Sequence, residues 1–115
     1  MTSRYPSRGD IWLVNLNPTR GHEQAGIRPA LVVSVDLFNQ GAAELVVVVP
    51  ITTTARGIPL HVEVASPEGG LRQRSYIKCE DIRAISRGRL VERWGTVSSD
   101  TMAEVEERLK ILLGL

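Results

Sequence analysis

The sequence has little of several things that define other protein classes. It contains one cysteine, Cys79, so no internal disulfide can form. The longest aliphatic run, Leu45 to Val49, is far shorter than the roughly 18 apolar residues of a membrane helix. No basic N-terminal stretch followed by an apolar run indicates a signal peptide. A net charge of +1 gives no field typical of a non-specific nucleic-acid binder. We therefore expect a cytoplasmic protein that does not enter a membrane.

Familiar cofactor motifs are also missing. His22, His61 and Cys79 do not have the spacing of zinc ligands, and no carboxylate joins them in a recognisable motif. No glycine-rich loop with a following Lys and Ser or Thr marks a P-loop. Nothing supplies Cys79 with the partner that a nucleophilic thiol needs, so we interpret it as a packing residue. The sequence predicts neither a metal nor a cofactor.

What is present predicts a mainly β fold. The hydrophobic content of 43% is enough for one core, which favours a single domain over residues 1–115. Short segments rich in Val, Ile and aromatic residues, bounded by Gly, Pro, Asn or Ser, are typical of strands. Five or more such strands in a small chain favour a strongly bent β-barrel. The predicted strands are Gly9 to Val14, Ala30 to Ser34, Glu44 to Thr52, Leu60 to Ala65 and Ser75 to Cys79.

Two of these strands carry patterns that predict their burial. Leu45 to Val49 is uninterrupted, so this strand should be buried on both faces. In the next strand His61 and Glu63 alternate with aliphatic residues, which predicts one wet face and a solvent-facing His61.

The C-terminal segment has the signals of an amphipathic helix. Ser98 is a suitable N-cap, Lys110 lies in the last turns, and Gly114 can end the helix. One apolar stripe runs along it, and we expect that stripe to pack on the barrel. Its members are Met102, Val105, Leu109 and Leu112.

Polar residues at predicted strand ends are the candidates for chemistry. Pro29 disfavours helical backbone at the preceding residue, so Arg28 should be held extended at the start of its strand. Thr52 ends the doubly buried strand, and Lys78 and Glu80 flank Cys79. Basic residues are also concentrated between Gly70 and Arg93, which is either a positive surface or an ordinary solvated face. They are Arg72, Arg74, Lys78, Arg83, Arg87, Arg89 and Arg93.

Three segments carry a family resemblance. They are "RGDIWLVNLNPTRGHEQAGIRPALVVS", "VVVVPITT" and the terminal "TMAEVEERLKILLGL". Together they resemble the MazF/PemK family of toxins from bacterial toxin–antitoxin pairs. The N-terminal block is the specific part, because a Gly-Asp strand, an Asn-Pro turn, Gly-His-Glu-Gln and Arg-Pro occur there in the family's order.

The resemblance implies a fold, an activity and partners. The fold would be a small SH3-like β-barrel with a C-terminal helix. The activity would be metal-independent, sequence-specific cleavage of single-stranded messenger RNA, giving 2′,3′-cyclic phosphate and 5′-hydroxyl ends. The toxin would be a homodimer neutralised by an acidic antitoxin, with which it would bind DNA. An extended segment of the antitoxin would cover the RNA groove.

The resemblance also assigns site residues. Arg28 matches the Arg of the Arg-Pro motif, Thr52 closes the Pro-Ile-Thr strand, and His22 matches the Gly-His-Glu-Gln motif. In the branch with that His, an Arg and an Asp flanking a Cys act in cleavage. The segment "IKCED" has Lys78 and Glu80 there instead. Lys lacks the planar fork that grips a phosphate, and Glu places its carboxylate one methylene further out.

These residue types suit metal-free RNA cleavage. Arg28 would stabilise the pentavalent phosphorane, Thr52 would bond the phosphate and Lys78 would be the acid. The base is left open between three side chains. Further contacts to RNA are expected from loop and basic residues. The candidate bases are His22, Glu23 and Glu80, and the RNA-binding candidates are Glu23, Gln24, Arg56, Arg72 and Arg74.

Two other functions fit the same pattern. One is a toxin that acts by protein contact alone, as gyrase poisons on this barrel do. The other is an RNA-binding module without cleavage, which the altered Lys78 and Glu80 would allow.

Overall fold

The structure is a computed structural model that describes residues 5–17 and 26–115. Within these ranges it has seven strands and two helices. None of the described helices is long and apolar enough to cross a membrane. The strands are β1 (Asp10–Asn15), β2 (Ile27–Val32), β3 (Leu45–Thr52), β4 (His61–Val64), β5 (Ser75–Lys78), β6 (Arg83–Ser86) and β7 (Leu90–Thr96); the helices are α1 (Asp36–Asn39) and α2 (Ser99–Leu113).

All seven strands are antiparallel and lie in one sheet. The strand order is β4-β5-β3-β2-β1-β7, and β6 pairs with the first half of β3. The eight residues of β3 thus pair with β2, β5 and β6 in turn. This long central strand fixes where the ends of its neighbours lie.

The two ends of the sheet meet by packing, because the described hydrogen-bonded path does not close into a ring. The 3-10 turn Glu68–Gly70, which follows β4, lies against β7 at the other end. A Cβ at Gly70 would lie 2.3 Å from the carbonyl oxygen of Trp94, and one at Gly95 would lie 2.7 Å from the backbone of Gly69. Glycine is therefore required for this backbone-to-backbone contact, which gives the open sheet its barrel-like shape.

Apolar side chains pack on both faces of the sheet. On one face a cluster that includes Leu31, Val49, Ile51 and Ile77 lies under α2, with Val105 fully buried against it. The other face carries a second cluster across β1, β2, β3 and β6, which we call the second core. Its buried members are Val14, Leu16, Ala30, Val32, Val46, Val48 and Ile85. The predicted burial of β3 on both faces is confirmed.

Helix α2 begins and ends where the sequence predicts. The Ser98 hydroxyl accepts a hydrogen bond from the Thr101 amide at 3.1 Å, and Gly114 ends the helix in the left-handed conformation. Met102 and Leu109 pack on the core with Val105. Leu112 does not belong to that contact, because the last turn extends past the sheet and leaves it 37% exposed.

The predicted mainly β fold with a C-terminal helix is confirmed. The five predicted strands are present with small shifts at their ends, whereas β6, β7 and α1 were not singled out. The prediction that His61 faces solvent is wrong. Its side chain is 4% exposed, because Glu80, in the 3-10 turn Cys79–Asp81 after β5, lies against it.

The first turn of α2 is also held by Glu68, from the loop that closes the sheet. One oxygen of Glu68 accepts from the Ser98 amide at 3.0 Å and from the Thr101 hydroxyl at 2.6 Å. Partial burial alone would raise the pKa of Glu68, but these hydrogen bonds outweigh it and lower the pKa below its ordinary value of 4.5. The folded state is therefore stabilised by ionised Glu68 above that value, and loses this stabilisation as the pH falls through the lowered pKa.

We predict that Glu68→Gln lowers the free energy of unfolding by about 1 kcal/mol at neutral pH. The difference from the wild type should shrink as the pH falls below the ordinary carboxyl range. Urea unfolding at fixed protein concentration, followed by circular dichroism at several pH values, measures it. Glu104→Gln is the control, since Glu104 is exposed on α2. A loss that is independent of pH would contradict the assigned role of the carboxylate.

Candidate functional site

The registers of three adjacent strands place Arg28, Thr52 and Lys78 on one face of the sheet. Ala30 pairs with Pro50, where the β2–β3 pairing ends; since side chains alternate, Arg28, two residues before Ala30, and Thr52, two residues after Pro50, belong to the same face of the sheet. Thr52 pairs with Tyr76, so Lys78 lies on the same face two residues further along β5. Two strand spacings of roughly 4.8 Å separate Arg28 from Lys78 across the sheet, and the two-residue offset along β5 adds roughly 6.6 Å in the strand direction. The sequence-predicted residues that lie on strands therefore form one row.

This row lies at the end of the second core. Arg28 is two residues before Ala30, and Thr52 is four residues after Val48, so each continues an apolar row on the same face. Arg28 is exposed, and pairing of β2 with β3 begins only after Pro29. An arginine at this point places a permanent positive charge at the edge of a dry, packed surface.

Thr52 is buried, and among the described contacts its hydroxyl oxygen accepts one hydrogen bond and donates none. Its Oγ1 accepts a hydrogen bond from the Thr54 amide at 3.2 Å, which shapes the turn after β3. A hydroxyl that accepts one bond still has its own proton to donate. Thr52 can therefore donate to an oxygen that arrives at this face.

His61 and Glu80 form an ion pair or hydrogen bond beside Lys78. His61 pairs with Lys78 across β4 and β5, so the two side chains share the face that carries the row. His61 Nε2 lies 2.8 Å from Glu80 Oε2, and the Glu80 side chain is 30% exposed. The carboxylate proposed from the sequence as a base is thus held by a buried histidine that the sequence did not suggest.

Lys78 is held by another carboxylate. Its Nζ lies 3.7 Å from Asp81 Oδ2, and the same oxygen accepts from the Arg83 guanidinium at 2.6 Å. All three side chains are at least 87% buried. Asp81 therefore balances the two cations, while Glu80 contacts His61.

The expected RNA-binding arginines lie in different places. Arg56 is exposed in the loop between β3 and β4. The Arg72 guanidinium lies over the Trp94 ring, 4.7 Å from its centroid, and Arg74 forms an ion pair with Glu63. No described contact joins these three arginines into one patch.

Other basic residues between Gly70 and Arg93 mainly serve the fold. Arg87 donates to the Asn39 carbonyl at 2.8 Å and also lies over the Tyr5 ring. Arg89 donates to the carbonyls of Asn15 and Asn17. Arg93 lies 3.4 Å from the buried carboxylate of Asp10. Much of the concentrated positive charge is thus paired inside the chain.

Cys79 packs in the core and is unsuited to nucleophilic attack. Burial, and then the neighbouring Glu80 carboxylate, raise the pKa of the Cys79 thiol to about 11. A thiol with such a pKa is almost entirely protonated near neutral pH. The described residues also contain no group of three or more His, Cys, Asp or Glu side chains that could hold a metal ion.

The loop candidates His22, Glu23 and Gln24 lie outside the described residues, so their roles stay predictions. His61 and Asp81 are the site residues that sequence reasoning missed. Asp81 had a signal, since it follows Glu80 directly in the quoted "IKCED". His61 had none, because alternation along its own strand indicates a wet face.

Comparison with known proteins places the chain in a family. Residues 7–113 match the profile of the PemK-like, MazF-like toxins of type II toxin–antitoxin systems. MazF from Deinococcus radiodurans (crystal Form-I) is 32% identical, with a TM-score of 0.87 over 98% of this chain and 100% of that one.

Two complexes with antitoxins are also similar. The MazE–MazF complex from Deinococcus radiodurans (Form-II) matches at 32% identity and a TM-score of 0.81, over 98% of this chain and 99% of that one. An endoribonuclease from Mycobacterial species, solved in complex with its cognate antitoxin, matches at 29% identity and a TM-score of 0.79, over 96% of each chain. The chain belongs to the PemK-like, MazF-like toxin family of type II toxin–antitoxin systems.

Proposed function

We propose that this toxin is an endoribonuclease that cleaves single-stranded messenger RNA in the cytoplasm without a metal ion. The observation that carries the proposal is the row of Arg28, Thr52 and Lys78, with Glu80 held beside it. A phosphate donor, a hydroxyl, an ammonium and a carboxylate on one face are the groups that RNA cleavage needs. The endoribonuclease from Mycobacterial species that was solved with its cognate antitoxin supports an endoribonuclease activity.

Arg28 and Thr52 would bind the scissile phosphate. Arg28 is exposed and permanently charged, so its guanidinium can offer two parallel donors to the phosphoryl oxygens. Thr52 would donate its hydroxyl proton to a neighbouring oxygen. Both side chains lie at the end of a packed core, so the phosphorane would form beside a surface of low dielectric, where such donors are most effective.

Glu80 and Lys78 would move the protons. Glu80 takes the proton of the 2′-hydroxyl, and the 2′-oxygen bonds to phosphorus. The bond from phosphorus to the 5′-oxygen then breaks, and Lys78 donates a proton to that leaving oxygen. The products are a 2′,3′-cyclic phosphate and a 5′-hydroxyl. His22 and Glu23, which precede β2 in the sequence, are the alternative bases.

We predict that Arg28→Ala lowers the single-turnover cleavage rate by about 1000-fold, because it removes a contact to the phosphorane. Glu80→Gln and Lys78→Met should lower it less, by about 100-fold, since His22 or water can take over a proton transfer. The assay uses a long unstructured RNA with and without chelator. Binding without cleavage by the wild type would indicate an RNA-binding module.

Arg108→Ala is the matched control for Arg28→Ala. Arg108 pairs with Glu107 on α2, which packs on the other face of the sheet. Its loss should leave the rate unchanged. Full activity of Arg28→Ala would overturn the phosphate-binding role. If none of the site variants reduces toxicity, action by protein contact would be favoured.

We further propose that two copies form a homodimer through the end of α2. A groove of about 480 Å³ lies beside this end and is lined mainly by aliphatic side chains. Large apolar residues at and near the end of the helix are exposed to an unusual degree, including Ile111 (67%), Leu113 (55%) and Leu115 (87%). A symmetric pairing of two such surfaces would bury them, and twofold dimers are the commonest oligomers.

Light scattering at micromolar concentration should therefore give about twice 12.7 kDa. Leu113→Glu should shift the protein toward the monomer, because it places a charge in the apolar contact. Glu104→Gln, away from the groove, should stay dimeric. A wild-type monomer, or a dimer that Leu113→Glu leaves intact, would contradict this surface assignment.

Besides RNA and a second copy of the chain, we propose a cognate antitoxin as a partner, with an acidic segment that covers the cleavage face. The solved toxin–antitoxin complexes of relatives support such a partner. Arg28 and Arg56 are exposed on or near this face and would attract the segment.

The acidic protein encoded beside the toxin gene should bind and block RNA cleavage. Rising salt should slow its association more than it speeds its dissociation, because exposed charges mainly steer the encounter. Stopped-flow or surface-based kinetics at several salt concentrations measure both rates. A neighbouring acidic protein that neither binds nor inhibits would count against the partner.

A further inference from the structure

The contact between His61 and Glu80 joins a buried side chain to an accessible one. The His61 side chain is 4% exposed and that of Glu80 is 30% exposed. Oε2 of Glu80 lies 2.8 Å from His61 Nε2, and Glu80 makes no other hydrogen bond or ion pair with a described residue. One oxygen of the Glu80 carboxylate, Oε2, is therefore bound by the buried His61, while the side chain as a whole is still partly exposed at the surface.

The second ring nitrogen indicates which tautomer makes this contact. His61 Nδ1 is buried and has no hydrogen-bond partner among the described residues. A proton on Nδ1 would be a buried donor without an acceptor, which is unfavourable. Nε2 lies 2.8 Å from a carboxylate oxygen, which accepts, so the proton is on Nε2 and is donated to Glu80, and Nδ1 carries a lone pair. His61 thereby orients the carboxylate without transferring a proton to it.

The two neighbouring cations, Lys78 and Arg83, contact Asp81 and not Glu80 in the described ion pairs. Lys78 lies opposite His61 in the sheet and could pair with either of the two carboxylates that follow it. It lies 3.7 Å from Asp81, which also accepts from Arg83. Asp81 thus takes up both cations, and Glu80 contacts a histidine. A carboxylate with one oxygen fixed by a neutral donor keeps the other for a substrate proton.

We propose that His61 is a positioning residue for RNA cleavage, which holds the Glu80 carboxylate in the orientation that accepts the 2′-hydroxyl proton. The inference rests on the proposed function, with Glu80 as the base. A glutamate side chain without this contact would sample many rotamers, and a base must lie within hydrogen-bond reach of the proton that it removes.

Single-turnover cleavage by single and double variants tests the proposal. His61→Leu fills the site but removes the donor, and it should lower the maximal rate by about 10-fold with little change in the RNA concentration for half-maximal rate. His61→Gln carries an amide donor near the position of Nε2 and should retain most of the activity. In a Glu80→Gln background, His61→Leu should have almost no further effect, because His61 acts through Glu80.

The outcomes separate this proposal from the proposed function. If the wild type cleaves RNA and His61→Leu is equally active, or if its effect is undiminished in Glu80→Gln, the positioning role is overturned. If Glu80→Gln is fully active while Arg28→Ala is inactive, His61 and Glu80 lose their role and the ribonuclease assignment stands. If the wild type does not cleave RNA, both proposals fail.

A spectroscopic measurement reads the contact without an activity assay. The ring ¹⁵N shifts of His61 in the whole protein should show a proton on Nε2 and a lone pair on Nδ1. The Nε2 signal should move in Glu80→Gln and stay in place in Glu104→Gln, which changes an exposed carboxylate on α2. A proton on Nδ1, or an Nε2 signal that does not change in Glu80→Gln, would overturn the proposed orientation. This measurement does not need His61→Leu, so it applies even if that variant fails to fold.

Discussion

The antiparallel register of β3 with its neighbours is the constraint on which the site depends. The first half of β3 pairs with β6, the middle with β2 and the end with β5. Because side chains alternate between faces, a slip of one residue would move every side chain of a strand to the other face. The register holds because β3 is apolar on both faces and each face has its own core. Core packing therefore determines that Arg28, Thr52 and Lys78 share a face.

The same constraint explains how the site can be both rigid and accessible. The buried residues of β3 end at Thr52, and the chain then leaves the sheet in an exposed loop that contains Arg56. The polar side chains at this boundary have a fixed backbone behind them; Arg28 is exposed and Glu80 is partly exposed, whereas Thr52 and Lys78 are largely buried. Groups held in this way need little rearrangement when a phosphate arrives, which is the basis of electrostatic preorganisation.

Local patterns in the sequence predicted the parts of the fold that local physics determines. The β-branched runs gave the first five strands, and Ser98 and Gly114 gave the ends of α2. β7 was not recognised because the residues "VER" near its start are all exposed and two of them are charged, so neither alternation nor a continuous apolar run marks it. His61 was misjudged because its cover comes from Glu80, nineteen residues later in the sequence. Contacts between distant segments leave no trace in the pattern of either segment.

The formal charge of a segment was likewise a poor guide to its surface. Several arginines between Gly70 and Arg93 bind backbone carbonyls, carboxylates or aromatic rings of other elements. Arg28, which stands apart from that segment, is exposed at the start of β2. A strand-end position fixed by Pro29 was more informative than the local density of charge, because it specified where a side chain would emerge.

In the proposed mechanism, the 2′-oxygen of the RNA attacks its own phosphate at the face that carries Arg28, Thr52 and Glu80. The chemical ends of the RNA fragments distinguish this mechanism from attack by water. Fragments made by the purified wild-type protein in the presence of EDTA should carry a 2′,3′-cyclic phosphate at one end and a 5′-hydroxyl at the other, as seen by mass spectrometry. Fragments with a 5′-phosphate and a 3′-hydroxyl would require water or another nucleophile, and would contradict it.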